Sequence, residues 1–446
     1  MTPEILVKDV HERFLKFYAQ QDYALLPAGS LLDPATPMTF VGSAGLTQIE
    51  TGIERDTGHH GERYVLVQPC FRHFDVDKVG QSLVHLSLFE MGGAFAFGGA
   101  PRAETLGRIW TFLTQVLGFA PERLWATWFS GGSVDGHGFP ADEKTLKTWL
   151  DLGIAPERLV AVGADAGFWK QGAGLDGVER FRKCGPTTEI FFDRNPERSC
   201  GPGCRPGCAC GRFVEISNIL FIHFLMDQEA QSVAPLATPF DETVIGVERL
   251  AMVQQGKASV FDLEVFTPII AFIRSRQRSV GAPESAALIA DHLRALLFLT
   301  SDGAPPPGKG GRARIMRLLI RGILTHQQVL GITDPDFIPC LVDVGITDYQ
   351  PLYPHLEQSR EQLLRHFERE RPRFERTLAQ GYREMEHYIS RAGTPVMPGA
   401  PALSLVKEHG MPLPLLEKAL IERGMALDRA DYRQAYTLWR QVNISE

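Results

Sequence analysis

Alternation of apolar and polar residues predicts several β-strands in the first half of the chain. Apolar residues recur at every second position over residues 64–71 and 83–91, and a polar connection separates the two runs. A period of two is typical of strands, and the short connection predicts an antiparallel hairpin. Further strands are predicted over residues 184–193 and 212–224, and a later strand is predicted to bend into a helix at Gly246.

Spacings of three and four predict helices elsewhere. In the opening helix Thr2 suits the N-cap and Pro3 the first helical position. Its core-facing residues are Leu6, Val10, Phe14 and Tyr18. A second helix is predicted over residues 102–117. Beyond residue 256 the pattern is mainly helical, with helices over residues 284–300, 312–324 and 356–389, the last broken at Pro372.

Composition indicates a globular protein without a membrane segment. The chain has 446 residues, 44% of them hydrophobic, which is enough to bury a sizeable core. The net charge is −7, so a polyanionic partner must bind a local basic patch. The opening residues MTPEILVKD do not show a basic segment followed by an apolar core, so a leader is not expected there, and no apolar run approaches the length of a bilayer span. We predict a cytoplasmic location, with neither a membrane nor DNA as a partner.

Four of the seven cysteines fall within eleven residues. They are Cys200, Cys204, Cys208 and Cys210. Glycines and prolines between them permit tight turns, so the four thiolates could close a tetrahedral Zn²⁺ site of structural function. The alternative is a metal-free loop, but four exposed thiols without a metal would be prone to oxidation.

Three charged residues stand at positions that suit phosphate chemistry. Arg72 follows the first strand of the hairpin, where its planar guanidinium could bind a phosphate group. Glu90 on the returning strand could orient it. Arg249 falls in the first turn of the helix after Gly246, within reach of terminal phosphates. Without their surrounding sequence, these three residues would be interpreted as ordinary charged residues at the ends of strands and helices.

The surrounding sequence resembles three ordered motifs of one enzyme family. Residues 34–48 read PATPMTFVGSAGLTQ, residues 68–98 read QPCFRHFDVDKVGQSLVHLSLFEMGGAFAFG, and residues 238–256 read TPFDETVIGVERLAMVQQG. They resemble motifs 1, 2 and 3 of class II aminoacyl-tRNA synthetases, and the FEMGGAFAFG ending is similar to the alanyl-tRNA synthetase family. The resemblance covers nearly the whole chain and extends to the catalytic and tRNA-recognition regions, whereas the family's editing and carboxyl-terminal domains are expected to be absent.

This resemblance implies a fold and a domain organisation. The expected class is α+β, with a class II synthetase-like antiparallel sheet flanked by helices and followed by an all-helical domain. Residues 1–256 would form the catalytic domain, with a Cys-rich insert at residues 199–211. Residues 257–446 would form a helical domain that resembles the tRNA-recognition region.

The resemblance also implies a reaction and its site. The expected activity is ATP-dependent activation of alanine, or another small amino acid, to an aminoacyl-adenylate and its transfer to tRNA, with Mg²⁺ as cofactor. Arg72 and Arg249 would be catalytic. The ATP-binding residues implied are Arg72, Glu90, Glu189 and Arg249. The amino-acid-binding residues implied are Trp169, Asn218, Asp241, Glu242 and Val244.

Basic residues near the start of the helix at 312–324 are candidates for tRNA binding. These are Lys309, Arg312, Arg314, Arg317 and Arg321. The functional interpretation is a basic edge against tRNA phosphates. The structural interpretation is a solvated face above a buried stripe of Ile315, Leu318 and Leu319.

Three interpretations of the whole chain remain open at this point. The first is an alanine–tRNA ligase-like enzyme without an editing domain, in which Val244 could exclude serine. The second is a paralogue that activates a small amino acid for a non-tRNA acceptor or for specialised biosynthesis. The third is a non-catalytic regulatory relative, which the presence of both arginines disfavours.

Overall fold

The computed structural model describes residues 4–32, 62–172, 180–279 and 283–443. The motif-1-like segment at residues 34–48 lies outside these ranges. The chain divides into two compact units. The first comprises Met1–Lys78 and Ser82–Thr267, and the second comprises Val79–Gln81 and Pro268–Glu446.

The first unit is built on a mixed sheet of nine strands. Its strands are β1 (Ala24–Leu25), β2 (Arg63–Phe71), β3 (Leu88–Phe97), β4 (Leu124–Phe129), β7 (Leu159–Val162), β8 (Phe168–Lys170), β9 (Phe181–Asp193), β10 (Phe213–Asp227) and β11 (Ser232–Gly246), while β5 (Gly132–Val134) and β6 (His137–Phe139) form a separate pair. The order is β1-β2-β3-β11-β10-β9-β4-β7, with β8 paired to β9. All neighbours are antiparallel except β1–β2 and β4–β7, so the predicted antiparallel sheet is confirmed for its central strands.

The predicted hairpin is confirmed, with a later second strand. Strands β2 and β3 pair antiparallel along their whole length, from Arg63 opposite Ala96 to Phe71 opposite Leu88. The predicted start of the second strand at residue 83 is wrong, because a 3₁₀ turn at His73–Lys78 and an irregular stretch precede Leu88. The predicted strand at 184–193 is confirmed as part of β9, and the strand predicted at 212–224 is confirmed from residue 213 as part of β10.

The described part of this unit has five α-helices, of which the first two cover one face of the sheet. They are α1 (Val7–Ala19), α2 (Arg102–Thr111), α3 (Glu143–Asp151), α4 (Ala164–Gly167) and α5 (Val247–Gln254). Val10, Phe14 and Tyr18 of α1 are buried as predicted. The predicted cap Thr2 and first helical position Pro3 lie outside the described residues. Residues 4–6 are not helical and α1 begins at Val7, where the Asp9 carboxylate accepts the Leu6 N–H at 2.8 Å and so satisfies a free amide of the first turn.

The second unit is helical, as predicted, apart from one short strand pair. Its helices are α6 (Thr267–Arg276), α7 (Pro283–Ser301), α8 (Gly311–Val329), α9 (Phe337–Tyr349), α10 (Arg360–Ile389), α11 (Gly399–Lys407), α12 (Leu413–Glu422) and α13 (Arg429–Asn443). Two-residue strands, β12 (Val396–Met397) and β13 (Ala426–Leu427), pair in parallel. Among the residues described, no helix has both the length and the apolar character needed to cross a membrane.

The predicted break at Pro372 is wrong, because α10 is one helix of 30 residues with Pro372 inside it. A proline inside a helix costs about 3 kcal/mol. Phe367 and Phe374, on either side of Pro372, are both buried. Burial of one such side chain contributes about 1.5–3 kcal/mol, so the two together offset the cost of the proline.

Candidate active site

A cavity of about 240 Å³ lies on one face of the sheet in the first unit. The strands β3, β10 and β11, the start of α5 and the connection between β2 and β3 all contribute to its wall. The lining residues are Arg72, Asp75, Val84, His85, Leu86, Phe89, Met91, Trp169, Glu215, Asn218, Leu220, Glu242, Val244, Ile245, Gly246, Glu248 and Arg249. Residues from the motif-2-like and motif-3-like segments therefore meet in one place.

Two arginines from distant parts of the chain line this cavity. Arg72 follows β2, donates its backbone N–H to the Ser87 carbonyl at 2.8 Å, and its guanidinium lies 5.0 Å from the centre of the Phe89 ring. Arg249 lies in the first turn of α5 and its Nη1 donates to Glu215 at 3.2 Å. Both guanidinium groups are only partly buried, so each is available to a negatively charged ligand.

A row of directly opposed residues crosses four strands, and its two central members, Asn218 and Val244, line the cavity, whereas Glu189 and Gly93 do not. Asn218 of β10 faces Glu189 of β9 on one side and Val244 of β11 on the other, and Val244 faces Gly93 of β3. Opposed residues point to the same face of a sheet. The Asn218 Oδ1 is buried and finds no hydrogen-bond partner among the residues that the structure describes. An unpaired buried acceptor costs about 1–3 kcal/mol, which favours a ligand that donates a hydrogen bond there.

A β-bulge brings Glu215 to this same face. Glu215 and Asn218 are three positions apart, and strict alternation would separate them across the sheet. The register of β10 against β9 shifts between Glu215 and Ser217, which leaves Ile216 as an extra residue. Burial, together with the negative charge of Glu215, raises the pKa of Glu189 to about 8, against the opposing effect of Arg249.

Asp241 and Glu242 lie on opposite faces of β11. Glu242 lines the cavity and is 3% exposed. Asp241 lies on the helix-covered face, where its carboxylate accepts a hydrogen bond from Thr105 Oγ1 at 2.7 Å and lies 2.9 Å from His223 Nε2. Arg102 Nη1 is 3.9 Å away. Of the two predicted carboxylates, only Glu242 therefore faces the cavity.

Glu90 also lies on the helix-covered face and does not line the cavity. Its carboxylate is 3.2 Å from His11 Nδ1 of α1, and its backbone N–H donates to both carboxylate oxygens of Glu248, at 3.0 and 3.1 Å. Burial lowers the pKa of His11, but the hydrogen bond and charge of Glu90 outweigh it, so the net pKa is raised. Glu248 does line the cavity, so Glu90 contacts a cavity residue without lining the cavity itself.

Trp169 forms a side wall of the cavity. It lies on β8 opposite Gly185 of β9, and it packs against a buried apolar cluster on the cavity face. The cluster consists of Tyr64, Leu66, Phe95, Leu220, Ile222 and Phe240. A Cβ at position 185 would lie 1.8 Å from the Phe221 carbonyl oxygen. Glycine is therefore required there for β9 to approach β10 behind the tryptophan.

Several lining residues were not predicted from the sequence. Asp75, His85, Phe89, Glu215 and Glu248 all face the cavity. Glu248 and Phe89 stand inside the motif-like segments, and the Gly-Val-Glu-Arg and Leu-Phe-Glu-Met strings were the available signal. Burial and the nearby charge of Arg249 lower the pKa of His85. Strand alternation does not indicate Glu215, because its orientation depends on the bulge.

The four clustered cysteines are arranged as a metal site would require. Their Sγ atoms all lie within 4.8 Å of one another, with 3.3 Å between Cys200 and Cys208 and 3.7 Å between Cys204 and Cys210. In a tetrahedral zinc–thiolate site the sulfur–sulfur distance is roughly 3.8 Å. The donor set is soft and four-fold, which fits Zn²⁺.

In the second unit, three of the five predicted basic residues line a second cavity, of about 410 Å³. Arg314, Arg317 and Arg321 surround Leu318, which is 45% exposed. The predicted buried stripe through Leu318 is therefore wrong. The α8 residues that do face the core are Met316, Leu319, Ile320, Ile323 and Leu324. Lys309 precedes α8 and is exposed, Arg312 is half-buried in its first turn, and neither lines this cavity.

Comparison with known proteins identifies the family. The profile described as tRNA synthetases class II (A) matches residues 9–444. The alanine–tRNA ligase of Desulforamulus reducens is 34% identical over 431 residues, covering 94% of this chain and 47% of the relative. The corresponding protein of Pelotomaculum thermopropionicum is 32% identical over 443 residues, covering 97% and 48%. The chain thus spans about half the length of these curated relatives.

Similarity to solved structures is more distant. The histidyl-tRNA synthetase of S. aureus is 14% identical, with a TM-score of 0.33, over 66% of this chain and 79% of that one. The family assignment therefore depends on the sequence profile, which extends over nearly the whole chain. The resemblance predicted from the motifs is confirmed: the chain belongs to the class II tRNA synthetase family.

Proposed function

We propose that this chain activates alanine, or another small amino acid, with ATP and transfers it to tRNA, as an alanine–tRNA ligase does. The observation that carries the proposal is the meeting of Arg72 and Arg249 with Glu242 and Asn218 in one cavity. This set provides cations for phosphate groups and acceptors for an ammonium group. The alanine–tRNA ligases of Desulforamulus reducens and Pelotomaculum thermopropionicum match the chain along nearly all of its length.

The first step is attack of the amino-acid carboxylate on the α-phosphorus of ATP. A bond forms between one carboxylate oxygen and the α-phosphorus, while the bond from the α-phosphorus to the oxygen of the leaving pyrophosphate breaks. The products are an aminoacyl-adenylate and pyrophosphate. The carboxylate is already ionised at neutral pH, so no general base is needed. Arg72 is proposed to bind the α-phosphate and Arg249 the terminal phosphates, where they stabilise charge that develops in the transition state.

The amino-acid end of the cavity is proposed to hold the ammonium group. Glu242 and the Asn218 Oδ1 both accept hydrogen bonds, and Trp169 and Val244 supply apolar walls. Asp241 is proposed to act as a positioning residue, because it anchors β11 from the opposite face.

Mg²⁺ is the proposed cofactor of ATP binding. Glu189 and Glu215 are close enough for the negative charge of one to raise the pKa of the other, and hard carboxylate oxygens are the ligands Mg²⁺ prefers. A bound cation would neutralise the negative charge of these two carboxylates and of the ATP phosphates. Glu90 is proposed to support ATP binding indirectly, through the hydrogen bonds of its backbone to Glu248.

The proposed acceptor is tRNA. Its phosphates would bind the basic residues near the start of α8, which are Lys309, Arg312, Arg314, Arg317 and Arg321. The names of the relatives favour this acceptor over a non-tRNA one. The cysteine cluster is proposed to hold a structural Zn²⁺, because its sulfur–sulfur distances fit a tetrahedral site.

Amino-acid-dependent exchange of labelled pyrophosphate into ATP, without tRNA, tests the activation step across all twenty amino acids. Exchange with alanine, followed by alanylation of total tRNA, is the expected result. Absence of exchange with every amino acid, from folded protein that binds ATP and Mg²⁺, would contradict the proposal. Exchange without charging of any tRNA would favour another acceptor.

A further inference from the structure

The floor of the cavity carries a β-branched residue between two close neighbours. Val244 lies directly opposite Asn218 on one side and Gly93 on the other. Directly opposed residues of antiparallel strands have Cβ atoms about 4.5–5.5 Å apart. The isopropyl group of Val244 therefore stands immediately beside the Asn218 amide, on the face that the ligand would occupy.

Packing on one side opposes movement of Val244 away from this position. On the Gly93 side the space is filled, since a Cβ at position 93 would lie 2.8 Å from the Phe95 ring. Val244 also packs against the apolar cluster that contains Phe95 and Leu220. A β-branched side chain has few accessible χ1 states, so packing on this side holds the isopropyl group as a rigid wall.

The polar groups beside this wall define where an amino acid would sit. Glu242 precedes Val244 by two residues and so points to the same face, and it is 3% exposed. The Asn218 Oδ1 is buried without a hydrogen-bond partner in the part of the chain described. An ammonium group held by these two acceptors would bring the adjacent α-carbon, and hence its side chain, against Val244.

We infer that Val244 is a specificity-determining residue that restricts the activated amino acid to glycine or alanine, with no side chain larger than a methyl group. The inference rests on the proposed function, because it assumes that this cavity activates an amino acid. A hydroxymethyl or ethyl side chain would need the volume that the isopropyl group fills. One extra methylene in a tight apolar pocket changes kcat/KM by about 10- to 200-fold.

The test is pyrophosphate exchange with glycine, alanine, serine and 2-aminobutyrate, measured as kcat/KM. The wild-type protein is expected to favour alanine over serine and 2-aminobutyrate by at least about tenfold. Val244→Gly and Val244→Ala are expected to raise the serine/alanine and 2-aminobutyrate/alanine ratios by about tenfold or more. Val244→Thr, which keeps the shape, is expected to leave the 2-aminobutyrate/alanine ratio near the wild-type value.

A matched control comes from the neighbouring position. Thr243 lies on the opposite face of β11 and is buried, so Thr243→Val is expected to leave both ratios unchanged. Wild-type use of 2-aminobutyrate within tenfold of alanine would overturn the inference without the variants. Unchanged ratios in Val244→Gly and Val244→Ala, with alanine exchange intact, would also overturn it and leave the proposed function standing. Failure of the proposed function is distinct, because the wild-type protein would then exchange with no amino acid.

Discussion

Asp241 and Glu242 are adjacent on β11, yet their carboxylates lie on opposite faces of the sheet. Asp241 is 1% exposed and contacts Thr105 and His223 on the helix-covered face, whereas Glu242 lines the cavity. The two carboxylates therefore have different surroundings. We propose that Glu242 contacts the ligand and that Asp241 holds the strand.

We predict that Glu242→Gln and Asp241→Asn have separable effects. Loss of one charge-assisted hydrogen bond costs about 1.5–3 kcal/mol, so Glu242→Gln should raise the amino-acid KM about 10- to 150-fold with stability little changed. Asp241→Asn removes the charge from a buried network and should lower the free energy of unfolding by up to about 3–5 kcal/mol. Pyrophosphate-exchange kinetics measure the amino-acid KM, and urea denaturation measures the free energy of unfolding. A larger KM effect from Asp241→Asn than from Glu242→Gln, in folded protein, would reverse the assignment.

Replacing either cavity arginine should suppress adenylate formation. Arg72→Ala and Arg249→Ala each remove a preorganised cation from the phosphate region, and kcat/KM for pyrophosphate exchange should fall about 100- to 1,000-fold. Lys147→Ala is a suitable control, because Lys147 is 74% exposed and pairs with Asp151 on the surface of α3. Retention of near wild-type exchange by both arginine variants would show that the phosphates bind elsewhere.

The cysteine cluster should contain one zinc ion per chain. Protein purified without chelator should contain stoichiometric zinc by elemental analysis, and Cys204→Ser or Cys208→Ser should lose it. Cys340→Ser is the control, since Cys340 is a free thiol remote in sequence from the cluster. The four cluster thiols should become reactive toward a thiol reagent only after chelation. Full reactivity before chelation, with no bound metal, would favour the metal-free loop.

The stability of the second unit should decrease in mild acid because of His326. Its Nδ1 lies 2.8 Å from Ser285 Oγ, and burial, reinforced by His292, lowers its pKa from 6.5 to about 4. Since the unfolded chain takes up a proton that the folded chain excludes, stability is complete above pH 6.5 and falls as the pH drops toward 4, by on the order of 3 kcal/mol.

Chemical denaturation at several pH values checks this prediction. His326→Asn should flatten the slope of stability against pH between 6.5 and 4, because asparagine keeps a polar contact and does not titrate there. His387→Asn, at an exposed histidine of α10, should leave the slope as in the wild-type protein. An identical slope in His326→Asn and wild type would assign the acid sensitivity to other groups.

Much of the local structure and the family followed from the sequence. The period of two in β2 and the spacing of four in α1 predicted those two elements, because each pattern reflects which side chains one local surface must bury. The strands β9 and β10 were expected from the family resemblance. Element ends were less predictable. The start of α1 depended on Asp9, and the continuity of α10 through Pro372 depended on burial against other helices.

By itself the sequence determined the order of the motifs, the identity of the charged residues and the family, because these are properties of local spacing and residue type. Only the tertiary structure decided which residues share the cavity. The bulge at Ile216 turns Glu215 toward Arg249, and the strand register sets Val244 beside Asn218 and separates Asp241 from Glu242. Register arises from pairing between segments far apart in the chain, and a shift of one residue would exchange the two faces of a strand.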